Sequence, residues 1–121
     1  MPTFTVTSPV FRSFDEAKAR AFYLEWLGFV VLFEHRFHER APLYMGVARD
    51  GLVLHLSEHH GDATPGSTAF VSMRGIRAFH DELMARPYPN NRPGLDQVPW
   101  GLQMEVTDPF GNRIRFCEDP A

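Results

Sequence analysis

Residues 99–116 read PWGLQMEVTDPFGNRIRF, and this stretch predicts a β-hairpin. Residues 102–106 alternate between apolar and polar side chains, which is typical of a half-buried strand. The segment DPFG at 108–111 then supplies a turn, because proline fixes φ and glycine accepts a positive φ. Ile114 and Phe116 continue the alternation into a second strand.

A weaker copy of this unit lies about sixty residues earlier, where RDG at 49–51 leads into LVLHLSE at 52–58. The segment AFY at 21–23 is mirrored by AFH at 78–80, 57 residues later. Each copy places one strand before its helix and three strands after it. The sequence therefore predicts an α+β fold in which two tandem β-α-β-β-β modules form cupped mixed sheets. The modules are expected at about residues 8–58 and 67–118, within a single domain of residues 1–121.

Local signals define the two helices. Asp15 is a good N-cap for a helix over residues 16–27, and Gly28 is a natural stop after it. The second helix is expected over residues 76–86, where Pro87 ends it. A strand over residues 8–14 precedes the first helix.

Composition excludes several classes of protein. The net charge is −3 and no Lys/Arg block is present, so nucleic acid is not an expected partner. The lone Cys117 rules out an intrachain disulfide framework and fits a reducing compartment. No signal-peptide pattern and no membrane-spanning apolar run occurs, so we expect a cytoplasmic protein without a membrane partner.

The duplicated unit and its motifs resemble the vicinal-oxygen-chelate superfamily of glyoxalases, bleomycin resistance proteins and dioxygenases. The motifs are AFY at 21–23, WLGF at 26–29 and DPFGNRIRF at 108–116, and PWG at 99–101 points to the bleomycin resistance branch. The resemblance implies a cup made from the two sheets. It also implies a homodimer that pairs modules across two chains.

Enzymes of this superfamily hold a divalent metal in the cup, and the resemblance places the ligand positions at Ser8, His55, Ala69 and Arg115. Serine, alanine and arginine are poor ligands, and the arginine charge repels a cation. We therefore expect no metal, no other cofactor and no catalytic residue. A rival interpretation is a surface chelate in a group of neighbouring polar residues, namely His55, Glu58, His59, His60 and Asp62.

A cup without metal is expected to bind a small molecule through aromatic side chains. The candidate ligand-binding residues are Trp100, Phe33, Phe37, Tyr44, His55, Phe70 and Ser72. For each aromatic residue, packing in the core is the alternative. The predicted function is non-enzymatic sequestration of an aromatic ligand or antibiotic, of which a bleomycin-type drug is one candidate, in a groove at the dimer interface.

The charge pattern argues against a cationic drug. Relatives of the bleomycin resistance type are acidic, whereas the loop at 34–42 mixes Glu34 and Glu39 with Arg36 and Arg40. Electrostatic attraction for a cation is then weak, which favours a neutral or anionic ligand.

Two alternative functions stay open. One is a metal-dependent lyase, isomerase or dioxygenase of the same fold that uses His55, Glu58 and Glu105 as ligands. The other is a structural or regulatory domain whose cup is filled by its own side chains.

Overall fold

The computed structural model describes residues 1–89 and 91–120, and it divides the chain into two similar modules. The first contains strand β1 (Val10–Arg12), helix α1 (Glu16–Arg20), a π-helical segment (Ala21–Trp26) and strands β2 (Val30–His35), β3 (Tyr44–Arg49) and β4 (Leu52–Ser57). The second contains β5 (Thr68–Ser72), α2 (Ile76–Ala85), β6 (Asp96–Val98), β7 (Gly101–Thr107) and β8 (Arg113–Glu118).

Each module forms one mixed four-stranded sheet. The strand orders are β1-β4-β3-β2 and β5-β8-β7-β6. In both sheets the first strand runs parallel to the last, and the other pairs are antiparallel. The α+β fold of two tandem modules with mixed sheets is thereby confirmed. The first strand is shorter than the predicted 8–14.

The first helix is regular only at its start. The Asp15 side chain accepts a hydrogen bond from the Lys18 backbone N–H at 2.9 Å, as its sequence position predicts. After Arg20 the backbone widens, and the Leu27 N–H bonds to the carbonyl of Phe22, five residues earlier. The predicted helix over residues 16–27 is therefore present, but its second half is wound as a π-helix. Sequence periodicity does not distinguish these two turn types.

One face of each sheet packs into a common core with the helices. On β3 and β4 the core residues are Met45, Val47, Leu54 and Leu56, which alternate with residues outside the core. Ile114 and Phe116 do the same on β8. We call the opposite face of each sheet, which bears the alternate residues, its open face.

Polar bonds join the modules inside this core. The Tyr23 hydroxyl donates to Asp108 Oδ2 at 2.6 Å, and burial, followed by the charge of Asp108, raises the pKa of Tyr23 well above its usual value. Asp108 Oδ1 also accepts from the Asn112 N–H, and Asn112 Nδ2 donates to the Arg12 carbonyl at 2.8 Å. The DPFGN motif thus links the two modules through buried hydrogen bonds.

In the part of the chain that the structure describes, no helix is long and apolar enough to span a membrane.

Candidate functional site

Three aromatic side chains cluster on the open face of the first sheet. Phe33, Gly46 and His55 occupy one row across β2, β3 and β4, and Tyr44 precedes Gly46 by two residues on the same face. The Phe33 and Tyr44 rings are nearly parallel, at 13° with centroids 6.1 Å apart. The His55 ring stands edge-on to both, with each centroid 5.3 Å away.

Glycine at position 46 makes room for this cluster. The register of β2 against β3 shifts between Val31 and Phe33, which brings Phe33 opposite Gly46. The Phe33 ring lies over Gly46, where any Cβ would overlap it. A glycine inside a strand pattern signals such a close approach, so Gly46 is a site residue that sequence reasoning missed although its signal was present.

A hydrogen bond fixes two members of the cluster. Tyr44 Oη and His55 Nδ1 are 2.7 Å apart. Burial, followed by the negative charge of Asp62, raises the pKa of Tyr44, so the phenol keeps its proton at neutral pH. The cluster therefore combines flat apolar surfaces with a fixed polar pair.

Phe37 extends the aromatic surface beyond β2. Its ring stands perpendicular to that of His35, with centroids 4.6 Å apart, and approaches His59 at 5.9 Å. This group borders the cluster because His35 pairs with Tyr44.

Phe70 and Ser72 lie elsewhere, on β5 of the second sheet. Both are exposed and share the face that carries Arg115, since Phe70 pairs with Arg115 across β5 and β8. They border a cavity of about 990 Å³ between β5, α2 and the β3–β4 turn. Phe79 and Phe116 contribute apolar lining to this cavity, while Phe33, Tyr44, His55 and Trp100 do not line it.

Trp100 stands at the entrance to β7. Its indole N–H donates to Gln103 Oε1 at 3.3 Å, and its side chain is exposed. Gly101 has φ +149°, and a Cβ there would overlap the Glu118 carbonyl and lie 2.9 Å from Cys117 Sγ. The glycine thus admits the chain's own β8 backbone, and this contact holds the segment that bears Trp100.

Charged residues occupy the open face of the second sheet. Arg115 Nε donates to Glu105 Oε1 at 2.7 Å, and Arg113 Nη1 lies 3.8 Å from Glu105 Oε2. Because two arginine cations hold the Glu105 carboxylate, this carboxylate is a poor candidate for a metal ligand.

The residues at the expected ligand positions do not fit a divalent metal. Arg115 is a cation and Ser8 precedes β1, so His55 stands without a good ligand from either of these positions. Ala69 pairs with Ile114 on the buried face, so its assignment to the inward position is wrong, because alternation places Phe70 on the open face instead. Among residues 1–89 and 91–120, no three His, Cys, Asp or Glu side chains form a group that could hold a metal.

The rival chelate uses side chains that have other partners. Glu58 Oε1 accepts from the Leu43 N–H at 3.0 Å, and Asp62 Oδ2 accepts from the Ser57 hydroxyl at 2.6 Å. Both carboxylates thus hold the loop that follows β4. Within the described part of the chain, these carboxylates and His55 do not gather around one point.

The seven predicted ligand residues therefore fall into three groups on one chain. Phe33, Tyr44 and His55 form the cluster, with Phe37 beside it. Phe70 and Ser72 lie at the cavity, and Trp100 lies near the end of the second sheet. No ring contact joins these groups within the described residues.

The sequence of the chain matches a known protein family. The model of a family described as glyoxalase superfamily protein matches residues 2–121. A search of curated proteins found no significant sequence match.

Solved structures share the fold over nearly the whole chain. A bleomycin-binding protein from Streptomyces verticillus, complexed with copper(II)-bleomycin, is 25% identical with a TM-score of 0.76, covering 98% of each chain. A glyoxalase/bleomycin resistance protein from Streptomyces sp. CB03234 is 25% identical with a TM-score of 0.68, covering 92% of this chain and 99% of its own. TnmS3, an antibiotic binding protein from the same strain, is 24% identical with a TM-score of 0.72, covering 98% and 99%.

Proposed function

Because the chain belongs to the glyoxalase superfamily, we propose that it is a small-molecule-binding protein that holds an aromatic ligand in a groove between two copies of itself. The similarity to a bleomycin-binding protein supports a binding role. A protein of this kind acts by mass action, since ligand held in the groove is unavailable to its target.

The observation that carries the proposal is the exposure of aromatic side chains on both open faces and beside them. Phe33 is 40% exposed, Phe37 77%, Phe70 55% and Trp100 58%. Large apolar side chains grouped on a surface mark an interaction site. These residues have flat rings, which stack well on a planar ligand.

A second copy is needed to complete the groove. Within one chain the rings of the first sheet have no ring contact with Phe70 or Trp100 among the described residues, so each sheet offers one wall. A two-fold dimer brings the open face of the first sheet against the open face of the second sheet of its partner. Each dimer would then contain two equivalent grooves.

The donor set argues for binding without a metal. The Glu105 carboxylate is held by Arg113 and Arg115, so it is not free to bind a metal together with His55. The same arginines offset the negative charge of Glu105, so this wall offers a cation little attraction. We therefore expect metal-free bleomycin, which is cationic, to bind weakly, and uncharged aromatic compounds to bind better.

Equilibrium dialysis with 9-fluorenone, an uncharged planar aromatic ketone, tests the proposal. We expect saturable binding, and a loss of about tenfold in affinity in both Trp100→Ala and Phe33→Ala, because each variant removes a stacking surface. Phe14→Ala is the matched control, since Phe14 is as exposed as Trp100 but its ring packs edge-on to Phe110, which is not part of the aromatic cluster.

Two results would contradict the proposal. One is affinity that is unchanged in both Trp100→Ala and Phe33→Ala. The other is a stoichiometric divalent metal, found by elemental analysis of protein purified without added metal and lost in His55→Ala. The second result would favour the metal-dependent enzyme.

A further inference from the structure

The Tyr44–His55 pair determines where the imidazole carries its hydrogen. Tyr44 Oη and His55 Nδ1 are 2.7 Å apart, and the tautomer of His55 decides which of them donates. We assign the phenol as the donor, because it keeps its proton and Nδ1 is the acceptor that it meets among the described residues. A neutral histidine that accepts at Nδ1 carries its hydrogen on Nε2. With the phenol as donor, the pair sets one tautomer of His55.

This Nε2–H lacks an acceptor within the part of the protein that the structure describes. Among the described residues, the His55 side chain forms a hydrogen bond with Tyr44 through Nδ1, and the ring is only partly buried. Its other neighbours are the apolar faces and edges of Phe33 and Tyr44. The open face of the first sheet therefore offers one directed donor beside flat aromatic surfaces.

A ligand stacked on these rings excludes water from the donor. An N–H covered in this way costs free energy unless the ligand supplies an acceptor, so an acceptor at this place discriminates strongly between similar ligands. A ring carbonyl oxygen or an unprotonated ring nitrogen lies in the plane of an aromatic system and can reach the donor. An ammonium group has only donors and gains nothing here.

We propose that His55 determines ligand specificity and selects planar aromatic compounds that carry a hydrogen-bond acceptor in or on the ring, with Tyr44 positioning the imidazole. This inference rests on the proposed aromatic groove and names the class of ligand that the groove takes. Gly46 contributes by letting Phe33 lie flat beside the donor.

Two matched probes test the inference, because 9-fluorenone differs from fluorene only in its carbonyl group. The measured quantity is the preference, the Kd of fluorene divided by that of 9-fluorenone, from equilibrium dialysis of the full chain. We expect His55→Phe to lower this preference about tenfold while it keeps an aromatic ring at the position.

Tyr44→Phe is the second variant and tests the positioning role. It retains both rings but frees His55 to hold its hydrogen on either nitrogen, so the preference falls by a smaller factor of about three. His38→Phe is the control and leaves the preference unchanged, because His38 lies in the exposed loop after β2. Circular dichroism verifies that each variant is folded.

The outcomes separate this inference from the proposed function. If both probes bind and Phe33→Ala weakens both, but the preference is the same in wild type, His55→Phe and Tyr44→Phe, the specificity role is overturned and the aromatic groove stands. If neither probe binds the wild-type protein, the groove itself is refuted, and the inference falls with it.

Discussion

Gly46 and Phe33 show how a single residue shapes the open face. The Phe33 ring covers the backbone of Gly46 and occupies the space where a side chain at position 46 would lie. The glycine lowers the intrinsic preference of β3 for a strand, and the aromatic ring covers the exposed backbone in return. Phe33 lies flat against Tyr44 as a result.

Replacing this glycine separates binding from folding. Gly46→Ala places a Cβ inside the Phe33 ring, so the ring must leave the cluster. We expect 9-fluorenone affinity to fall about tenfold, while the free energy of unfolding changes by about 1 kcal/mol, because Phe33 is partly exposed already. Equilibrium dialysis and urea denaturation measure the two effects.

Gly51→Ala is the matched control, because a Cβ at Gly51 meets nothing within 4 Å. Equal loss of affinity in both glycine variants would show that the position of Phe33 does not matter for the ligand.

At the scale of elements, an ion-pair network joins β3 to α2. Arg49 donates to both carboxylate oxygens of Glu82, at 2.7 and 2.8 Å, and to the Leu27 carbonyl at 2.8 Å. Arg86 donates to Glu82 and to the Trp26 carbonyl. The end of the π-helical segment is thus tied to both modules.

This network predicts a pH dependence of stability. The hydrogen bond from Arg49, more than any other factor, lowers the pKa of Glu82 from 4.5 to about 2. A carboxyl whose pKa is lower in the folded state than in the unfolded state stabilises the folded protein at pH values above its unfolded-state pKa. This contribution is lost as the pH falls toward 2. We expect Glu82→Gln to cost about 1–2 kcal/mol at pH 7, since water screens these partly exposed partners.

The difference in unfolding free energy between wild type and Glu82→Gln should therefore shrink between pH 4.5 and about 2, as measured by urea denaturation at each pH. Glu25→Gln, which replaces an exposed glutamate outside this network, serves as the control. A difference that stays constant over this range would refute the assignment to the Glu82 charge.

For the whole molecule, the central question is whether one groove needs two chains. A groove between copies combines Phe33 of one chain with Trp100 of the other. In a heterodimer of Phe33→Ala and Trp100→Ala chains, one groove then carries both changes and the other carries neither.

Mixing the two weakened variants therefore restores high-affinity binding. After random exchange of subunits, half of the dimers are mixed and each has one intact groove, so about a quarter of the wild-type capacity returns. Equilibrium dialysis with 9-fluorenone before and after exchange measures this capacity. A cup formed within one chain would show no recovery, and light scattering that finds only monomers would exclude the shared groove.

Local sequence patterns determined much of this protein. Alternation at residues 102–106 and the turn at 108–111 predicted the β7–β8 hairpin, and Asp15 and Gly28 marked the ends of the first helical region. The internal duplication predicted the two-module fold, which the family match and the structural neighbours confirm. These features depend on contacts within a few residues or on a repeated pattern, both of which are visible in a single sequence.

Only the tertiary structure decided which residues meet. It placed Ala69 in the core and Phe70 on the open face, because successive side chains of a strand point to opposite faces and the pairing of β5 with β8 decided which set is buried. It brought Tyr44 to His55 across two strands, and it assigned Asp108 to Tyr23, 85 residues away. Such pairings arise from the packing of distant segments, and local periodicity carries no record of that packing.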